Sequence, residues 1–362
     1  MEQSWHRVPG GTAVAALAVA RALAERPDGP EQVGVAARHR APAPAPWTPP
    51  MPVRHLPLPR IALYEAWSRV PFPPVEWATG PVDVVHATTI IPAASRAPQI
   101  VTVHDLAFVH EPAHFTPHGR RLFRRSLARI ARRADLVLCS STATLDDCAA
   151  AGLPAERLRL VLLGVDTPPA LTGDAVVAVR RRHGLEAPYL LFNGTLEPRK
   201  NLPRLLDAFA LLVASGDPAV PADLRLALAG AIGWGDAVRP PAAVAGRVDL
   251  LGFVPDDDLS ALFAGALVCC QPSLREGFGL PVLQAMAVGT PVVTSRGTST
   301  EEVAGGAAVL VDPTDTADIA AGIVAALGQR EHLAGAGRAR AGELTWARTA
   351  EATLAAYREV AR

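Results

Sequence analysis

Residues 276–281, with the sequence Glu-Gly-Phe-Gly-Leu-Pro, have the composition of a loop that binds an anion. They follow the apolar run 267–270, which predicts a strand, and Pro281 suits the first position of a helix because its missing N–H is unpaired there anyway. Three backbone amides would then lie free at the helix start: those of Phe278, Gly279 and Leu280. Such amides and the helix dipole favour negative charge, and the glycines let a ligand approach the backbone. A purely structural turn with glycine caps is the alternative.

A second segment, residues 192–201, places two cations, Arg199 and Lys200, side by side between a predicted strand and the next helix. An isolated pair of surface cations would by default be only solvated. Because both segments follow strands of one predicted parallel sheet, we expect them at the same carboxyl edge, where open α/β sheets bind ligands. Two cations and three amides could then hold a diphosphate without a metal ion.

An alternation of short apolar runs with helical patterns positions these loops and extends along most of the chain. Fully apolar runs are typical of strands buried on both faces of a parallel sheet, and strand–helix alternation indicates a doubly wound α/β fold. The predicted strands cover residues 32–36, 82–86, 99–103, 136–139, 158–162, 189–192, 224–229, 248–251, 267–270, 291–294 and 308–311. The predicted helices cover residues 12–24, 115–132, 176–183, 202–214, 257–264, 281–288, 316–327 and a final segment from about 346.

A break between two domains is predicted near residues 164–188, where a turn-rich stretch interrupts the alternation. We therefore expect an N-terminal domain over residues 1–170, a C-terminal domain over 171–345 and a last helix over 346–362, which could return to the first domain. The stretch 41–59 contains eight prolines, which lack the N–H that a helix or an inner strand needs. It is interpreted as a surface excursion, either a solvated connection or part of a substrate site.

The composition excludes several classes of protein. A chain of 362 residues with 49% hydrophobic residues suits two globular domains rather than a disordered chain. Lys+Arg and Asp+Glu both total 35, so the basic excess of a nucleic-acid binder is missing. No apolar run of about 18 residues predicts a membrane span, and the start does not resemble a signal peptide. Four cysteines without metal or redox spacing indicate reduced core residues in a cytoplasmic protein: Cys139, Cys148, Cys269 and Cys270.

Together the motifs resemble the donor-binding signature of retaining glycosyltransferases of family 4, which have the GT-B fold of two Rossmann-like domains facing a cleft. The likeness is carried by GTLEPRKN at 194–201 and by EGFGLPVLQAMAVGTPVV at 276–293. Further pieces that fit are HDL at 104–106, GFVP at 252–255 and the glycine loop at 10–12. The resemblance extends from about residue 8 to the end of the chain, and it is stronger in the second domain than in the first.

The resemblance implies roles for individual residues. Arg199 and Lys200 match cations that bind the diphosphate, and Glu276 matches a glutamate that contacts hydroxyls of the donor sugar. His104 matches a histidine across the cleft beside the transferred sugar, although a lone histidine in an apolar stretch is more often structural. Donor-binding positions implied in the same way are Gly11, Thr195, Val254, Phe278, Gly279, Leu280 and Gln284.

Two features depart from the family's pattern. Gln284 stands where the family has a glutamate that accepts hydrogen bonds from the nucleotide ribose. Since neutral acceptors form bonds roughly half as strong as charged ones, we expect weaker nucleotide binding rather than lost chemistry. The family also places a buried strand before the glycine loop, and residues 1–9 have too few apolar side chains to form it. We expect either that the biological start lies upstream of Met1 or that this strand is absent.

The predicted activity is retaining transfer of a hexose from a nucleoside diphosphate sugar to a glycan, a lipid-linked acceptor or a small molecule, without a cofactor or metal. In a front-face displacement the leaving phosphate would take the acceptor's proton. GDP-mannose is the first guess for the donor, because the motifs most resemble those of mannosyltransferase-like members. A nucleotide-sugar epimerase of the same fold and a sugar-nucleotide-binding pseudoenzyme are the alternatives. A nicotinamide dehydrogenase is disfavoured, since no G-x-G-x-x-G follows an opening strand.

Seven arginines lie between Arg120 and Arg133, beside apolar residues at roughly helical spacing. This pattern predicts an amphipathic helix with a strongly cationic face. The simple explanation is a solvated surface. The alternative is a peripheral contact with anionic lipid at the inner membrane face, or with a phosphate-bearing acceptor.

Overall fold

The computed structural model describes residues 1–6, 10–167, 171–233 and 238–361. The chain divides into two compact units. Unit 1 consists of Met1–Gly164 together with Trp346–Arg362, and unit 2 of Val165–Thr345. Each unit is an α/β structure in which every paired strand is parallel to its neighbour.

Unit 2 is built on a six-stranded sheet in the order β12-β11-β10-β7-β8-β9. Its strands are β7 (Tyr189–Asn193), β8 (Arg225–Ala229), β9 (Val248–Gly252), β10 (Val268–Gln271), β11 (Val292–Ser295) and β12 (Val309–Val311). The inner strands are apolar along their length because helices cover both faces of the sheet. Residues such as Leu190, Phe192 and Val293 are fully buried. The fully apolar runs in the sequence therefore predicted this sheet correctly.

Seven helices accompany the sheet within the described part of unit 2: α7 (Gly173–Arg182), α8 (Leu202–Ala214), α9 (Asp256–Gly265), α10 (Leu280–Val288), α11 (Ser299–Ala304), α12 (Thr316–Gly328) and α13 (Arg330–Glu343). In α8 the buried residues Leu205, Leu206, Phe209 and Leu212 recur at helical spacing and form one face. That face packs in the core that α8 shares with α12. Helix α13 packs against α10 and was absent from the sequence-based prediction.

The described residues of unit 1 form two separate sheets. The larger has the order β3-β4-β5-β6, and the smaller pairs β1 with β2. The strands are β1 (Gly34–Ala36), β2 (Val53–His55), β3 (Val85–Ala87), β4 (Gln99–Val103), β5 (Leu136–Cys139) and β6 (Leu158–Leu160). The helices are α1 (Gly11–Ala24), α2 (Arg60–Arg69), α3 (Glu76–Thr79), α4 (Ala107–His110), α5 (Pro117–Arg133) and α6 (Thr142–Ala150).

Strand β2 corrects the interpretation of the proline-rich stretch 41–59 as a surface excursion only. The proline-free residues Val53–His55 pair in parallel with β1, and the carbonyl of Pro52 accepts a hydrogen bond from the amide of Gly34. Proline cannot donate to a sheet but can accept, so it is compatible with the end of an edge strand. The stretch therefore contributes one short strand to unit 1.

The start of the chain lies beside the smaller sheet. Among the described residues before Gly10 there is a 3-10 helix, Glu2–Trp5, and no strand. The buried carboxylate of Glu2 accepts the amide of Ala37 at 2.8 Å, directly after β1. Gln3 donates to the hydroxyl of Thr88, directly after β3, at 3.4 Å. The 3-10 helix thus contacts the carboxyl ends of strands from both sheets. Residues 7–9 lie outside the described residues.

The last helix, α14 (Trp346–Val360), belongs to unit 1. It packs against α1 and against β4 and β5. The hydroxyl of Tyr357 lies 2.7 Å from His86 Nδ1, and Thr349 donates to the carbonyl of Leu162 at 2.9 Å. In the described residues no helix combines the length and the apolar character that a membrane span requires.

Candidate functional site

The two segments singled out in the sequence lie at the carboxyl edge of the unit 2 sheet. The first follows β7 and the second follows β10, and these strands are neighbours in the sheet. Asn201 holds the loops in place from a left-handed backbone conformation with φ 61°. Its buried side-chain amide donates to the carbonyl of Pro272 at 2.9 Å and to that of Pro313 at 2.6 Å. One residue after Lys200 therefore links the loops that follow β7, β10 and β12.

Arg199, Lys200 and Glu276 form a contiguous ionic group. The Glu276 carboxylate accepts from Lys200 Nζ at 2.6 Å through Oε1 and from Arg199 Nη1 at 2.8 Å through Oε2. The hydroxyl of Ser273 donates to the same Oε1 at 2.7 Å. Side-chain exposure is only 7% for Lys200 and 8% for Glu276. The sequence predicted that these residues share an edge of the sheet, and the structure adds that the cations are bonded to the carboxylate.

A second carboxylate, Glu197, completes the group. Its Oε1 lies 2.5 Å from Arg199 Nε, and its side chain is almost entirely buried. Two cations and two carboxylates therefore balance to zero net charge in a site largely removed from water. A buried charge is tolerated only when it is paired in this way.

Burial by itself raises the pKa of both carboxylates, but their net pKa shifts have opposite directions. Desolvation by itself would raise the pKa of Glu276, but the nearby charges of Lys200 and Arg199 outweigh it and lower the pKa to about 2. Desolvation raises the pKa of Glu197, opposed by Arg199 and Lys200. Glu276 is therefore the firmly ionised partner of the two cations.

The start of α10 supplies backbone donors close to this group. The helix begins at Leu280, so the expectation that Pro281 takes its first position is wrong by one residue. The cap is Gly279, whose φ of 119° is accessible to glycine and strained for other residues. The amides of Phe278, Gly279 and Leu280 donate to no acceptor within the described residues. They remain available to an anion.

The other residues implied in unit 2 lie around the same edge of the sheet. Thr195 follows β7 and packs beside Gly233, and Gln284 is half-exposed on α10. Val254, in the loop after β9, is buried, whereas its neighbour Phe253 is 54% exposed. If this loop contacts a base, the exposed ring of Phe253 is therefore the more accessible side chain.

Gly11 and His104 lie in unit 1. Gly11 is the first residue of α1, and Gly10 is its extended N-cap. His104 directly follows β4, and its ring donates to the backbone of Thr88. Its carbonyl accepts from Ser140 Oγ and Thr144 Oγ1, both at 3.0 Å. Burial lowers the pKa of His104, so the ring is neutral at neutral pH.

Sequence reasoning missed several residues that shape the site. Asn201 and Ser273 carry no motif that marks them as anchors, and Glu197 was passed over as part of GTLEPRKN. One signal was available: Lys200 is the only lysine in 362 residues, and the other 34 basic residues are arginines. Lysine presents a compact point charge with three donors, which arginine cannot reproduce. Within the described residues, no cluster of three or more His, Cys, Asp or Glu side chains could hold a metal ion.

Comparison with known proteins identifies the family. A profile described as "Glycosyl transferases group 1" matches residues 187–329, and one described as "Glycosyltransferase Family 4" matches residues 9–168. The O-antigen chain mannosyltransferase B of Escherichia coli is 33% identical over 269 residues, which cover 72% of this chain and 70% of that protein. The chain belongs to glycosyltransferase family 4. It is therefore a glycosyltransferase, as the resemblance of its motifs predicted.

Other relatives match shorter parts of their own length. A D-inositol 3-phosphate glycosyltransferase of Geodermatophilus obscurus is 38% identical over 57% of this chain, which spans about half (48%) of that protein. Among solved structures, the Anabaena protein HepE in complex with UDP and glucose has a TM-score of 0.72 and 19% identity, over 98% of this chain and 97% of its own. WaaG, a glycosyltransferase involved in lipopolysaccharide biosynthesis, has a TM-score of 0.68 and 18% identity, covering 97% and 96%. These structures confirm the predicted GT-B fold.

Proposed function

We propose that this glycosyltransferase moves a hexose, with retention, from a nucleoside diphosphate sugar to a hydroxyl of a glycan, lipid-linked or small-molecule acceptor. The observation that carries the proposal is the buried group of Arg199, Lys200 and Glu276 beside the three free amides at the start of α10. A diphosphate needs several converging donors and compensating positive charge, and this edge of the unit 2 sheet supplies both.

In the proposed mechanism the diphosphate takes over the cations that Glu276 now holds. Lys200 Nζ, Arg199 Nη1 and the amides would stabilise the negative charge that grows on the leaving diphosphate as the glycosidic bond breaks. The Glu276 carboxylate, released in part from the cations, would accept hydrogen bonds from hydroxyls of the sugar. The acceptor hydroxyl attacks from the face that the leaving group vacates and passes its proton to a phosphate oxygen. Two side-chain cations and a helix start supply the positive charge, so the proposal includes no metal or other cofactor.

GDP-mannose is the proposed donor. The support is the name of one relative, the O-antigen chain mannosyltransferase B of Escherichia coli, together with the motifs that resemble mannosyltransferase-like members. UDP-glucose is the natural competitor to test, since a structure of HepE contains it. Thermal shift with GDP, UDP and ADP sugars, followed by assays of hydrolysis and transfer, would select among them. Stabilisation by UDP-glucose alone would replace mannose with glucose in the proposal.

Lys200 is the only lysine of the chain, so a single substitution removes every lysine side chain from the protein. Lys200→Ala should lower turnover by roughly 100- to 1,000-fold, the cost of one such donor in comparable sites. Near-wild-type transfer by this variant would refute the assignment.

Gln284 supports the second candidate, a pseudoenzyme that binds the nucleotide sugar without turning it over. A neutral side chain at that position weakens contact with a ribose hydroxyl, although it does not touch the group that would support the leaving phosphate. Product analysis with a labelled donor separates the possibilities. Transfer yields a glycoside, an epimerase yields an altered free sugar or nucleotide sugar, and a pseudoenzyme yields neither.

We also propose that α5 contacts anionic lipid at the inner membrane face. The residues from Arg120 to Arg133 form the helix as expected, with Leu122, Ser126 and Ile130 buried on its inner side. Arg125 instead binds the carboxylate of Glu65 through Nη2, at 2.9 and 2.7 Å, so it serves the fold.

The exposed arginines on this helix are Arg121, Arg124, Arg132 and Arg133. Co-sedimentation with anionic vesicles should weaken with added salt and with the double change Arg121→Glu/Arg124→Glu. Equal binding by the variant would show that this face is only solvated.

A further inference from the structure

A group of aromatic side chains lies at the carboxyl ends of β1 and β2 in unit 1, and it includes none of the residues implied by the family resemblance. Trp5 stacks on His39 with ring centroids 4.6 Å apart and planes 8° from parallel. The ring of His55 stands edge-on to both, with centroids 5.5 Å from Trp5 and 6.0 Å from His39. The carboxyl edge of parallel strands is where open α/β structures bind ligands.

Hydrogen bonds fix the orientation of all three rings. The indole N–H of Trp5 donates to the carbonyl of Ala41 at 2.9 Å. His55 Nδ1 donates to the carbonyl of Ala37 at 2.7 Å, which leaves Nε2 as a lone-pair acceptor in the neutral ring. His39 Nε2 lies 2.9 and 3.0 Å from the two carboxylate oxygens of Glu2, which hold the ring in place. The group therefore combines a held aromatic face with the exposed imidazole edge of His55.

The 3-10 helix Glu2–Trp5, which carries Trp5, connects this group to His104. Gln3 donates through Nε2 to the hydroxyl of Thr88, whose backbone accepts from the ring of His104. The side-chain carbonyl of Gln3 is buried and has no hydrogen-bond partner in the described structure. The hydrogen bond of Gln3 thereby ties the helix that carries Trp5 to the carboxyl end of β3.

We propose that the Trp5–His39–His55 group binds the hydroxyl-rich ring of the acceptor. This inference rests on the proposed glycosyltransfer. The Nε2 of the exposed His55 can form a hydrogen bond with a ligand hydroxyl, and the Glu2 carboxylate beside His39 disfavours an anion. The flat indole suits the C–H face of a pyranose or cyclitol, where apolar contact accompanies hydroxyl binding. The group thus recognises a neutral polyol ring rather than a phosphate.

Acylation of histidine by diethyl pyrocarbonate tests the site without turnover. The reagent attacks a neutral imidazole nitrogen, and His55 is exposed, with no hydrogen bond to Nε2 from the part of the chain that the structure describes. His332, an exposed histidine on α13, is the control within the same molecule. We expect methyl α-D-mannopyranoside, methyl α-D-glucopyranoside or myo-inositol to slow acylation of His55 severalfold and to leave His332 unchanged. If the rate of acylation of His55 is the same with and without each of the three polyols, the proposal is wrong.

The degree to which the pyranosides and myo-inositol protect His55 from acylation shows which ring the site binds. GDP or UDP is the negative control, since neither should protect His55. The result stands even if no donor is ever turned over. Failure of the proposed function and failure of this inference are therefore distinguishable.

Two variants extend the test once a donor and an acceptor are known. Trp5→Phe and His55→Phe should each raise the KM for the acceptor by roughly tenfold, equivalent to about 1.4 kcal/mol. Hydrolysis of the donor by water should keep its rate in both, as it should in the control His332→Gln. An unchanged KM for the acceptor in both variants would count against the site, and loss of donor hydrolysis in both would show a structural role instead.

Discussion

Replacing Glu276 with glutamine separates the two roles that this residue has in the structure and in the proposed reaction. Glu276→Gln keeps the size of the side chain and removes its charge. Lys200 and Arg199 then lose the carboxylate that they share, and Lys200 is left in a site where its side chain is only 7% exposed. Removal of one partner from a buried ion pair typically costs about 3–5 kcal/mol.

The pKa of Glu276 gives an independent magnitude for the same loss. The ordinary value of 4.5 falls to about 2 in the folded chain. Because one pKa unit is worth about 1.4 kcal/mol, the lowered pKa represents about 3 kcal/mol of folding stability. The folded pKa lies below the unfolded one, so this contribution is present above about pH 4.5 and is lost as pH falls toward 2. The stability gap between wild type and Glu276→Gln should narrow over that interval.

The substitution should increase stabilisation by nucleotide and decrease the transfer activity. With the carboxylate gone, the diphosphate no longer competes for Lys200 and Arg199, so GDP or UDP should stabilise Glu276→Gln more than it stabilises wild type. Transfer should nevertheless collapse, because the contact with the sugar hydroxyls is weakened. Urea unfolding with and without nucleotide measures the first effect, and turnover of the labelled donor measures the second.

A matched control is Glu343→Gln, which changes a carboxylate that pairs with Arg340 and is 59% exposed. It should alter stability by less than about 1 kcal/mol, as exposed pairs do. The reasoning fails if Glu276→Gln unfolds at the same urea concentration as wild type. It fails equally if nucleotide stabilises the variant less than it stabilises wild type.

Three further substitutions test parts of the same edge of the unit 2 sheet. In Asn201→Gly the glycine tolerates the positive φ, but the two hydrogen bonds of the side-chain amide are lost. The free energy of unfolding in urea titrations should therefore fall by about 1–3 kcal/mol. An unchanged midpoint would contradict the anchoring role. Gly279→Ala should lower the free energy of unfolding by about 1–3 kcal/mol, because a φ of 119° is strained for alanine. The control Gly246→Ala, with open space around the added methyl group, should leave it almost unchanged. Equal unfolding curves for the two variants would refute the strain at Gly279. Gln284→Glu should tighten nucleotide binding by about 1 kcal/mol, roughly fivefold in a calorimetric Kd, if the side chain accepts from the ribose, and weaker binding would place the ribose elsewhere.

The inner strands could be predicted from the sequence because burial on both faces leaves them apolar throughout. Strands β4 and β5 and helix α8 have the predicted bounds. Strand β2 was missed because three residues between prolines carry no alternation. Helix α13 was missed because its buried residues are Leu333, Gly337 and Ala341, and small side chains give almost no hydrophobic periodicity.

The candidate site was predictable to the level of loops. A strand that leads into a glycine-containing turn identifies the sheet edge, and this pattern assigns Arg199, Lys200 and Glu276 to the same edge. Which of them bond to one another depends on side-chain geometry, and so does the anchoring by Asn201. Residue types alone do not reveal these contacts, because an asparagine such as Asn201 or a serine such as Ser273 is common in any loop.

The position of α14 in unit 1 means that unit 2 is inserted within unit 1 along the chain. Residues Val165–Thr345 form one continuous segment, whereas unit 1 needs residues from both ends of the protein. The two crossing points adjoin, since the amide of Val165 donates to the carbonyl of Leu344 at 3.0 Å. A gene fragment for unit 2 can therefore encode all of its strands and helices, while any cut that removes α14 exposes apolar surface of β4 and β5. An exchange of unit 2 between relatives thus requires two junctions, one on each side of the insert.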